Sequence, residues 1–223
     1  MLNQIKDDDP HYAVTKLLCL ENTFSGQVQP QSELDELAKE AHSKKLKVHL
    51  DGARLFNAHI KTGLSMKQLT DSFDSVSICL SKGLGAPLGS LLVADKETID
   101  KAHRLRKMLG GGMRQVGVIA ACGMFALKNN IQRLQEDHDN AKLLAEGLSS
   151  FEELSVDFSE SQTNMVFVNC PEPHRKPLEK FLLEREIIIS NLDRGRLVCH
   201  LGIKEKDILF VIDAFREYFK ESA

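Results

Sequence analysis

The chain has 223 residues, of which 42% are hydrophobic and 27% charged, a composition typical of a folded globular protein rather than a disordered one. Its net charge of -3 and its pI near 6.2 offer no basic surface for a nucleic acid backbone. No apolar run reaches the roughly 18 residues of a membrane span, and the acidic N-terminus lacks the pattern of a signal or transit peptide. We therefore predict a soluble protein with no membrane or nucleic acid partner.

The cysteines are widely spaced and form no C-x-x-C pair, which argues against a disulfide framework and against a zinc site. We therefore expect no bound metal. Reduced thiols are typical of the cytosol, so a cytoplasmic location is predicted. The five positions are Cys19, Cys79, Cys122, Cys170 and Cys199.

The first predicted elements are a strand, a helix and a second strand. Residues 14–20 and 48–50 are the strands, and an amphipathic helix lies between them. Ser32 precedes Asp35 by three residues, which resembles a capping box at the start of this helix. Both strands are mostly apolar, which favours a parallel sheet with both faces covered. This part of the chain is therefore predicted to be α/β.

The pattern continues after Asp51 and is interrupted by three consecutive glycines. Gly110, Gly111 and Gly112 are too flexible to continue a helix and therefore mark a turn. The elements predicted before this turn are helices near 55–60 and 65–72, strands at 75–80 and 89–94, and a helix at 96–109.

A long helical stretch then connects two predicted domains. Helical patterning covers residues 114–149, which is long enough to cross from one domain to another. We place the boundary within this stretch, so that residues 1–133 form one domain and residues 134–223 form a small C-terminal α+β domain.

The small domain is predicted to end in an amphipathic helix. Leu209, Ile212, Phe215 and Phe219 recur at helical spacing and are expected to form its core face. The elements predicted in this domain are strands at 155–158, 164–169, 187–190 and 196–201 and helices at 176–185 and 205–220.

Lys82 lies between an apolar run, residues 77–81, and a glycine-rich turn, residues 83–89. The carboxyl end of a strand is where open α/β sheets bind ligands. A lysine has an ordinary pKa of about 10.4, but burial or nearby cations lower it and permit a Schiff base with a carbonyl group. By position alone, a solvated loop lysine is the simpler interpretation.

Asp51 favours a chemical role for Lys82, because it also follows an apolar run, residues 48–50. Enzymes that use pyridoxal 5'-phosphate (PLP) need a lysine to hold the cofactor and commonly an acid beside the pyridine nitrogen. Asp51 could supply that acid, although Asp-Gly after a strand is also an ordinary turn former. Arg54 could bind a substrate carboxylate, although a surface arginine is the ordinary explanation. Together the two strand ends predict a PLP enzyme.

Four ordered segments carry the most distinctive residues of the chain. They are Leu-Glu-Asn-Thr at 20–23, His-Leu-Asp-Gly-Ala-Arg-Leu-Phe-Asn-Ala at 49–58, Cys-Leu-Ser-Lys-Gly-Leu-Gly-Ala-Pro at 79–87 and Gly-Gly-Gly-Met-Arg-Gln at 110–115. These segments resemble the threonine aldolases, and the likeness continues through residues 126–130 to 196–201. The resemblance implies part of a PLP-dependent transferase (fold type I) large domain, followed by the small C-terminal α+β domain.

The resemblance also implies a role for each candidate residue. Lys82 would hold PLP as a Schiff base, and Asp51 would face the pyridine nitrogen. Arg54 and Arg196 would lie near the cofactor oxygen and the substrate carboxylate. His11 would lie near the substrate hydroxyl and assist its deprotonation.

Two further cations flank the triple glycine. By the same resemblance, Lys107 and Arg114 would approach the cofactor phosphate or the site of the adjoining subunit. The implied reaction is retro-aldol cleavage of an amino acid substrate, L-threonine or L-allo-threonine, to glycine and acetaldehyde, which belongs to threonine catabolism and glycine biosynthesis. The implied assembly is a homotetramer.

Two alternatives stay open. Compared with the family, the chain lacks roughly the first third, on the order of a hundred residues, where a phosphate-binding loop and a histidine stacked on PLP would lie. One alternative is therefore a truncated, catalytically silent isoform that associates with full-length subunits and exposes apolar sheet faces and edges. The other is a different PLP enzyme, such as an aminotransferase, although the motifs at 83–87 and 110–115 favour the aldolase branch.

Overall fold

The computed structural model describes residues 4–160 and 162–221. It divides into two compact units. The first contains the described residues up to Phe24 and those from Val28 to Asn130, and the second contains Ser25–Gln27 and the described residues from Ile131 onward. Both units combine helices with strands, so the predicted α/β class of the first part and α+β class of the last part are confirmed.

The first unit is built on a four-stranded sheet in the order β1-β2-β3-β4. The first three strands are parallel, and β4 runs antiparallel to β3. The predicted strand, helix and strand at the start of the chain therefore form a parallel βαβ unit, as expected. The elements are β1 (Leu17–Glu21), α1 (Gln31–Ser43), β2 (Lys47–Asp51), α2 (Leu55–Thr62), α3 (Met66–Thr70), β3 (Ser75–Cys79), β4 (Ser90–Ala94), α4 (Lys96–Met108) and α5 (Gly117–Asn129).

The core of this unit lies on one face of the sheet. Successive side chains in a strand point to opposite faces, so Val48, Leu50, Val76 and Ile78 share the face against which α1, α2 and α3 contribute apolar side chains. The opposite face is half-buried or exposed along β1, β2 and β3. For the described part of the chain, the expectation of a sheet covered on both faces is therefore wrong.

The start of α1 differs from the predicted capping box. Pro30 is the residue that precedes the helix, and no side chain caps the first turn. Ser32 is already the second helical residue, so its hydroxyl is not at the position that a capping residue occupies. A capping box does form at α3, where Ser65 and Gln68 bond each other's backbone N–H groups.

The second unit contains a three-stranded antiparallel sheet in the order β5-β6-β7. Residues 25–27 join it, because Gln27 pairs with Gln162 and the Thr163 N–H donates to the Gly26 carbonyl at 3.0 Å. The elements are α6 (Leu134–Leu148), β5 (Ser155–Asp157), β6 (Met165–Asn169), α7 (Arg175–Leu183), β7 (Gly195–Val198) and α8 (Glu205–Glu221).

The core of the second unit confirms most of the predicted face of α8. Ile212, Phe215 and Phe219 are buried, whereas Leu209 is 45% exposed and Ile208 is buried in its place. Two other predictions are wrong. Residues 187–190 form no strand, and the helical stretch 114–149 is broken between α5 and α6.

The partly buried carboxylate of Asp74 connects α1 to the start of β2 through hydrogen bonds. His42 Nε2 lies 2.8 Å from Asp74 Oδ2, the Lys47 ammonium donates to Oδ1 at 2.6 Å, and the Val48 N–H donates to Oδ2 at 2.8 Å. Burial of the carboxyl group disfavours its ionised form, but these hydrogen bonds outweigh burial and lower the pKa of Asp74 to about 2. The cluster therefore stabilises the ionised form.

We expect Asp74 to make folding sensitive to acid. Because its folded-state pKa is about 2 and its ordinary pKa is 3.8, its contribution is present above about pH 4 and is lost as the pH falls toward 2. At pH 7 the free energy of unfolding of the Asp74→Asn variant should be about 1–2 kcal/mol lower than that of the unmodified protein. This range already allows for solvent screening of a partly exposed group. Its unfolding free energy should also vary less between pH 4 and pH 2, as urea titrations at several pH values would measure.

Asp71→Asn is the matched control, because Asp71 is exposed and lies three residues from Asp74. This variant should follow the pH dependence of the unmodified protein. If Asp74→Asn and Asp71→Asn had the same pH dependence, the Asp74 cluster would not be the source of acid sensitivity.

No helix in residues 4–160 or 162–221 combines the length and the apolar character needed to cross a bilayer.

Candidate active site at the carboxyl ends of the parallel strands

Asp51 is the last residue of β2, and its side chain is exposed. The strand register places it directly between Glu21 on β1 and Ser77 on β3. Its carboxylate Oδ1 accepts a hydrogen bond from the Ala53 N–H at 2.9 Å, which orients the side chain at the strand end. One face of the sheet therefore presents this carboxylate to solvent.

Gly52 brings the end of β2 close to β3. Its N–H donates to the Ser77 carbonyl at 2.8 Å, and a Cβ at this position would lie 2.9 Å from the same oxygen. Any larger residue would push the two strand ends apart. The glycine in the Asp-Gly pair therefore allows a close approach between strands, in addition to forming a turn.

Lys82 lies three residues beyond β3, in an exposed turn. The Gly85 N–H donates to the Lys82 carbonyl at 2.8 Å, and Gly85 has a φ of +74°, which a glycine adopts without strain. The Leu80 N–H donates to the Gly89 carbonyl and the Ala86 N–H to the Leu80 carbonyl, so the base of the loop is held in place. The lysine is therefore presented from an ordered turn.

The structure brings the turn that carries Lys82 and the strand end that carries Asp51 to the same edge of the sheet. Strands β2 and β3 are parallel neighbours, so both carboxyl ends lie at that edge. This edge is the usual ligand position in open α/β sheets. The sequence-based expectation that two strand ends present an amine and a carboxylate at one edge agrees with this topology.

Cys79, the last residue of β3, was missed as a site residue in the sequence. Its Sγ lies 3.3 Å from the Ser81 hydroxyl. Burial disfavours the thiolate, but hydrogen bonds from Ser81 and the positive charge of Lys82 outweigh burial and lower the pKa of Cys79 below its ordinary value. The alternation of side chains along β3 was the available signal, because it places Cys79 on the same face as Ser77.

Glu21 was also missed. It lies beside Asp51 in the β1–β2 register, and both line a cavity of about 620 Å³ together with Cys19, Phe24 and Gln29. Lys82 is not among the residues that line this cavity. The cavity therefore extends from the Asp51 carboxylate toward β1 and the start of α1, and three residues with carboxylates line it, Glu21, Glu33 and Asp51.

Arg54 immediately precedes α2, three residues after Asp51, and is half-buried. The chain turns between them because the Leu55 N–H donates to the Gly52 carbonyl at 2.9 Å. The guanidinium of Arg54 is thus carried by the same strand-to-helix connection as the Asp51 carboxylate.

Lys107 and Arg114 lie on either side of the triple glycine and are both exposed. The Lys107 side chain crosses Gly112 so closely that a Cβ there would overlap Lys107 Cδ and would lie 3.0 Å from its Nζ. The predicted turn is confirmed, since α4 ends at Met108 and α5 begins at Gly117. Gly112 therefore leaves room for the lysine to lie across the loop.

His11 is strongly exposed, with 89% of its side-chain surface accessible. Its Nδ1 lies 2.7 Å from Asp9 Oδ1, and its backbone N–H donates to the same oxygen at 2.8 Å. These two hydrogen bonds lower the pKa of Asp9, and the bond from the His11 backbone has the larger effect. The contacts of His11 in the structure are thus with its own N-terminal segment.

Arg196 belongs to the second unit, where it is an exposed residue of β7. It lines a cavity of about 560 Å³ together with Arg185, Ile188, Cys199, His200 and Phe210. Burial raises the pKa of the Cys199 thiol to about 12, so this cysteine is an unreactive part of the lining. The cavity is mainly apolar and carries the arginine at its surface.

Comparison with known proteins identifies the chain's relatives. The family model described as "Beta-eliminating lyase" matches residues 1–171. The low specificity L-threonine aldolase of Escherichia coli O157:H7 is 46% identical over 215 residues, which make up 96% of this chain and 64% of that protein. The low-specificity L-threonine aldolase 1 of Arabidopsis thaliana is 42% identical over 217 residues, 92% of this chain and 60% of that protein. The chain thus spans less than two thirds of the length of these curated relatives.

The fold has a counterpart among solved structures. The threonine aldolase structure of Leishmania major superposes with a TM-score of 0.76 at 19% identity, and the match covers 95% of this chain and 64% of that one. The predicted fold, part of a fold-type-I large domain followed by a small α+β domain, is confirmed. Since the family model matches well over half of the residues, the chain belongs to the beta-eliminating lyase family.

Proposed function

We propose that this protein is a PLP-dependent aldehyde-lyase that cleaves L-threonine and L-allo-threonine to glycine and acetaldehyde by a retro-aldol reaction. The observation that carries the proposal is the shared sheet edge of Asp51 and the Lys82 turn. It occurs in a chain that is 46% identical to a low specificity L-threonine aldolase over 215 residues. The same amine and acid would suit several PLP reactions, and the identity to this relative favours the aldolase.

The residues at this edge fit PLP in their chemistry. An exposed amine at Lys82 and an exposed carboxylate at Asp51 are the two groups that a PLP site needs from the protein. When bound, PLP accepts the electron pair that is released as the Cα–Cβ bond of the substrate breaks. We propose that Lys82 attaches the cofactor covalently and that the Asp51 carboxylate holds a proton at its pyridine nitrogen.

The other candidate residues are proposed to bind the substrate and the phosphate. Arg54 and Arg196 would bind carboxylate or cofactor oxygens, because a guanidinium offers a fork of donors to two oxygens. Lys107 and Arg114 would neutralise phosphate charge. His11 would accept the proton of the substrate's β-hydroxyl group. These roles rest on the resemblance to threonine aldolases.

The proposal includes a location and an assembly. We propose a cytoplasmic enzyme, which is supported by five cysteines that all carry free thiols in the structure. We also propose a homotetramer, from the resemblance and from exposed apolar side chains on α5, such as Val118 at 75% and Phe125 at 63%. The products place the enzyme in threonine catabolism and glycine formation.

Product analysis tests the proposal. Purified protein supplied with PLP and L-threonine should release glycine and acetaldehyde in equal amounts. The Asp51→Asn variant should be slower by about 100-fold or more, because an amide does not hold the proton at the pyridine nitrogen as a carboxylate does. Asp71→Asn is the control, because it also removes one carboxylate charge, and this variant should retain the activity. If the PLP-loaded protein produced no glycine, the proposed activity would be excluded for this chain.

A further inference from the structure

Three consecutive polar side chains are buried just before β6. Gln162, Thr163 and Asn164 are 1%, 0% and 2% exposed. Burying a polar group costs free energy unless the group is hydrogen-bonded. The Gln162 Nε2 group donates to the Ser25 carbonyl at 3.0 Å, and the Thr163 hydroxyl donates to the Gly26 carbonyl at 2.6 Å. These two side chains therefore hold one segment of the second unit, whereas Asn164 binds a different one.

Asn164 holds the residue that follows β7. Its Nδ2 donates to the Cys199 carbonyl at 2.9 Å, and the Cys199 N–H donates to the Asn164 backbone carbonyl at 2.9 Å. The Thr163 hydroxyl also lies 3.3 Å from Asn164 Oδ1, which fits the amide orientation that directs Nδ2 toward Cys199. Both backbone groups of Cys199 are thus bonded to one buried residue.

The bonds of Asn164 extend the ladder between β6 and β7. The last pair of this ladder is Met165 with Val198. The bonds between Asn164 and Cys199 add one more pair at the point where β7 leaves the sheet. Without the side-chain amide, the Cys199 carbonyl would lose this donor, and the end of β7 would be free to shift.

Arg196 belongs to the same strand and lies three residues before Cys199. Successive side chains of a strand point to opposite faces, and Leu197 packs against the core, so Arg196 projects from the other face and is exposed. Three residues of extended chain span about 10 Å. A shift at Cys199 therefore changes the position from which the Arg196 side chain starts.

The position of Arg196 matters because a guanidinium binds a carboxylate through a planar fork of donors. A displacement of about 1 Å in a binding group can cost about 100-fold in rate. We propose that Asn164 is a positioning residue, which holds the end of β7 so that Arg196 reaches the carboxylate of the substrate. This proposal rests on the proposed function, in which Arg196 binds carboxylate or cofactor oxygens.

Asn140 provides a matched control. It is also a buried asparagine, 4% exposed, and its Nδ2 donates to the Ile203 carbonyl at 3.2 Å. Ile203 belongs to the connection between β7 and α8, but it lies seven residues after Arg196. Replacing either asparagine by alanine removes one buried hydrogen bond, so both variants should unfold at a lower urea concentration. A role in stability alone would make the two variants alike in ligand binding.

Glycine binding tests the proposal. Glycine carries the carboxylate that the proposed reaction leaves on its amino acid product, and its dissociation constant can be measured from the absorbance of the PLP-loaded protein. Asn164→Ala should raise this constant about tenfold, whereas Asn140→Ala should change it by less than about twofold. With L-threonine, Asn164→Ala should raise KM about tenfold and leave kcat within about twofold. Equal glycine affinity of the two variants would overturn the proposal.

A double comparison shows whether Asn164 acts through Arg196. Arg196→Lys keeps the charge but removes the fork of donors, and it should itself weaken glycine binding about tenfold or more. In the Arg196→Lys background, Asn164→Ala should weaken binding further by less than about twofold, because substitutions that act through one contact are not additive. A further loss of about tenfold in that background would show that Asn164 acts by another route and would overturn the proposal.

Glycine binding also separates this proposal from the proposed function. A chain that shows the expected affinities but releases no glycine from L-threonine would contradict only the proposed activity. No glycine binding by the unmodified protein, or no effect of Arg196→Lys, would overturn the positioning role, because Asn164 would then have no carboxylate site to position. If far-ultraviolet circular dichroism showed that Asn164→Ala is unfolded, Asn164→Ser would replace it, with the same expected and contradicting results.

Discussion

Replacement of Lys82 by alanine is expected to abolish covalent attachment of PLP. Lys82 is exposed in the turn that follows β3, so a carbonyl group from solution can reach its side chain. The unmodified protein, incubated with PLP and then borohydride, should carry a cofactor-sized mass increase on the peptide that contains Lys82. The Lys82→Ala protein should lose that label and its visible absorbance band, and its lyase activity should fall by about 1,000-fold or more.

Lys96→Ala is the matched control. Lys96 is also an exposed lysine, and its ion pair with Asp100 on α4 contributes little to stability. This variant should keep the label, the band and the activity. Both alanine variants should unfold within about 0.5 kcal/mol of the unmodified protein, because surface substitutions have small effects. Undiminished labelling of Lys82→Ala at another lysine would show that PLP attaches elsewhere.

Replacement of Phe215 by alanine is expected to cause the largest loss of stability. Phe215 is fully buried on α8, and its ring centroid lies 6.4 Å from that of Phe151 in the core of the second unit. Removing a buried aromatic ring deletes apolar contacts and leaves a cavity, which costs about 3–5 kcal/mol. Urea denaturation followed by far-ultraviolet circular dichroism should show an unfolding transition at a much lower urea concentration.

Phe210→Ala provides the comparison within the same helix. Phe210 is 54% exposed, so the same chemical change removes few buried contacts. We expect a change within about 0.5 kcal/mol, even though alanine has the higher helix propensity. Equal destabilisation by the two substitutions would mean that α8 does not pack through the face that contains Phe215.

Local patterns in the sequence predicted most of the individual elements. Apolar runs that end in a polar residue predicted the strands before Asp51 and Lys82, and the triple glycine predicted the end of α4. These features depend on residues that are neighbours in the chain, so a sequence contains the necessary information. The strand predicted at 187–190 failed because a short apolar run forms a strand only when a partner strand is available.

Helix faces were less predictable than helix positions. The spacing of Leu209 and Ile212 fits one face of α8, but Ile208 and Ile212 fit an overlapping face equally well. Packing of α8 in the second unit buries Ile208 and leaves Leu209 exposed. The choice depends on contacts with residues far away in the chain, which helical spacing does not contain.

Two residues of the candidate site were predicted from the sequence, and two others were missed. Asp51 and Lys82 could be identified because each follows an apolar run and because the segments around them resemble threonine aldolases. Glu21 could not, since its place beside Asp51 depends on strand register. Side-chain alternation places Cys79 on one face of β3 with Ser77, but its place beside Lys82 depends on the turn after β3. Register is decided by pairing between strands that are about thirty residues apart.

The sequence by itself determined the family, the βαβ order and the chemical groups at the two strand ends, because these follow from local residue patterns. Only the tertiary structure decided which strands are neighbours and which side chains share a face with Asp51. The physical reason is that strand pairing and burial are sums over contacts between distant segments, whereas propensity and periodicity act within one segment.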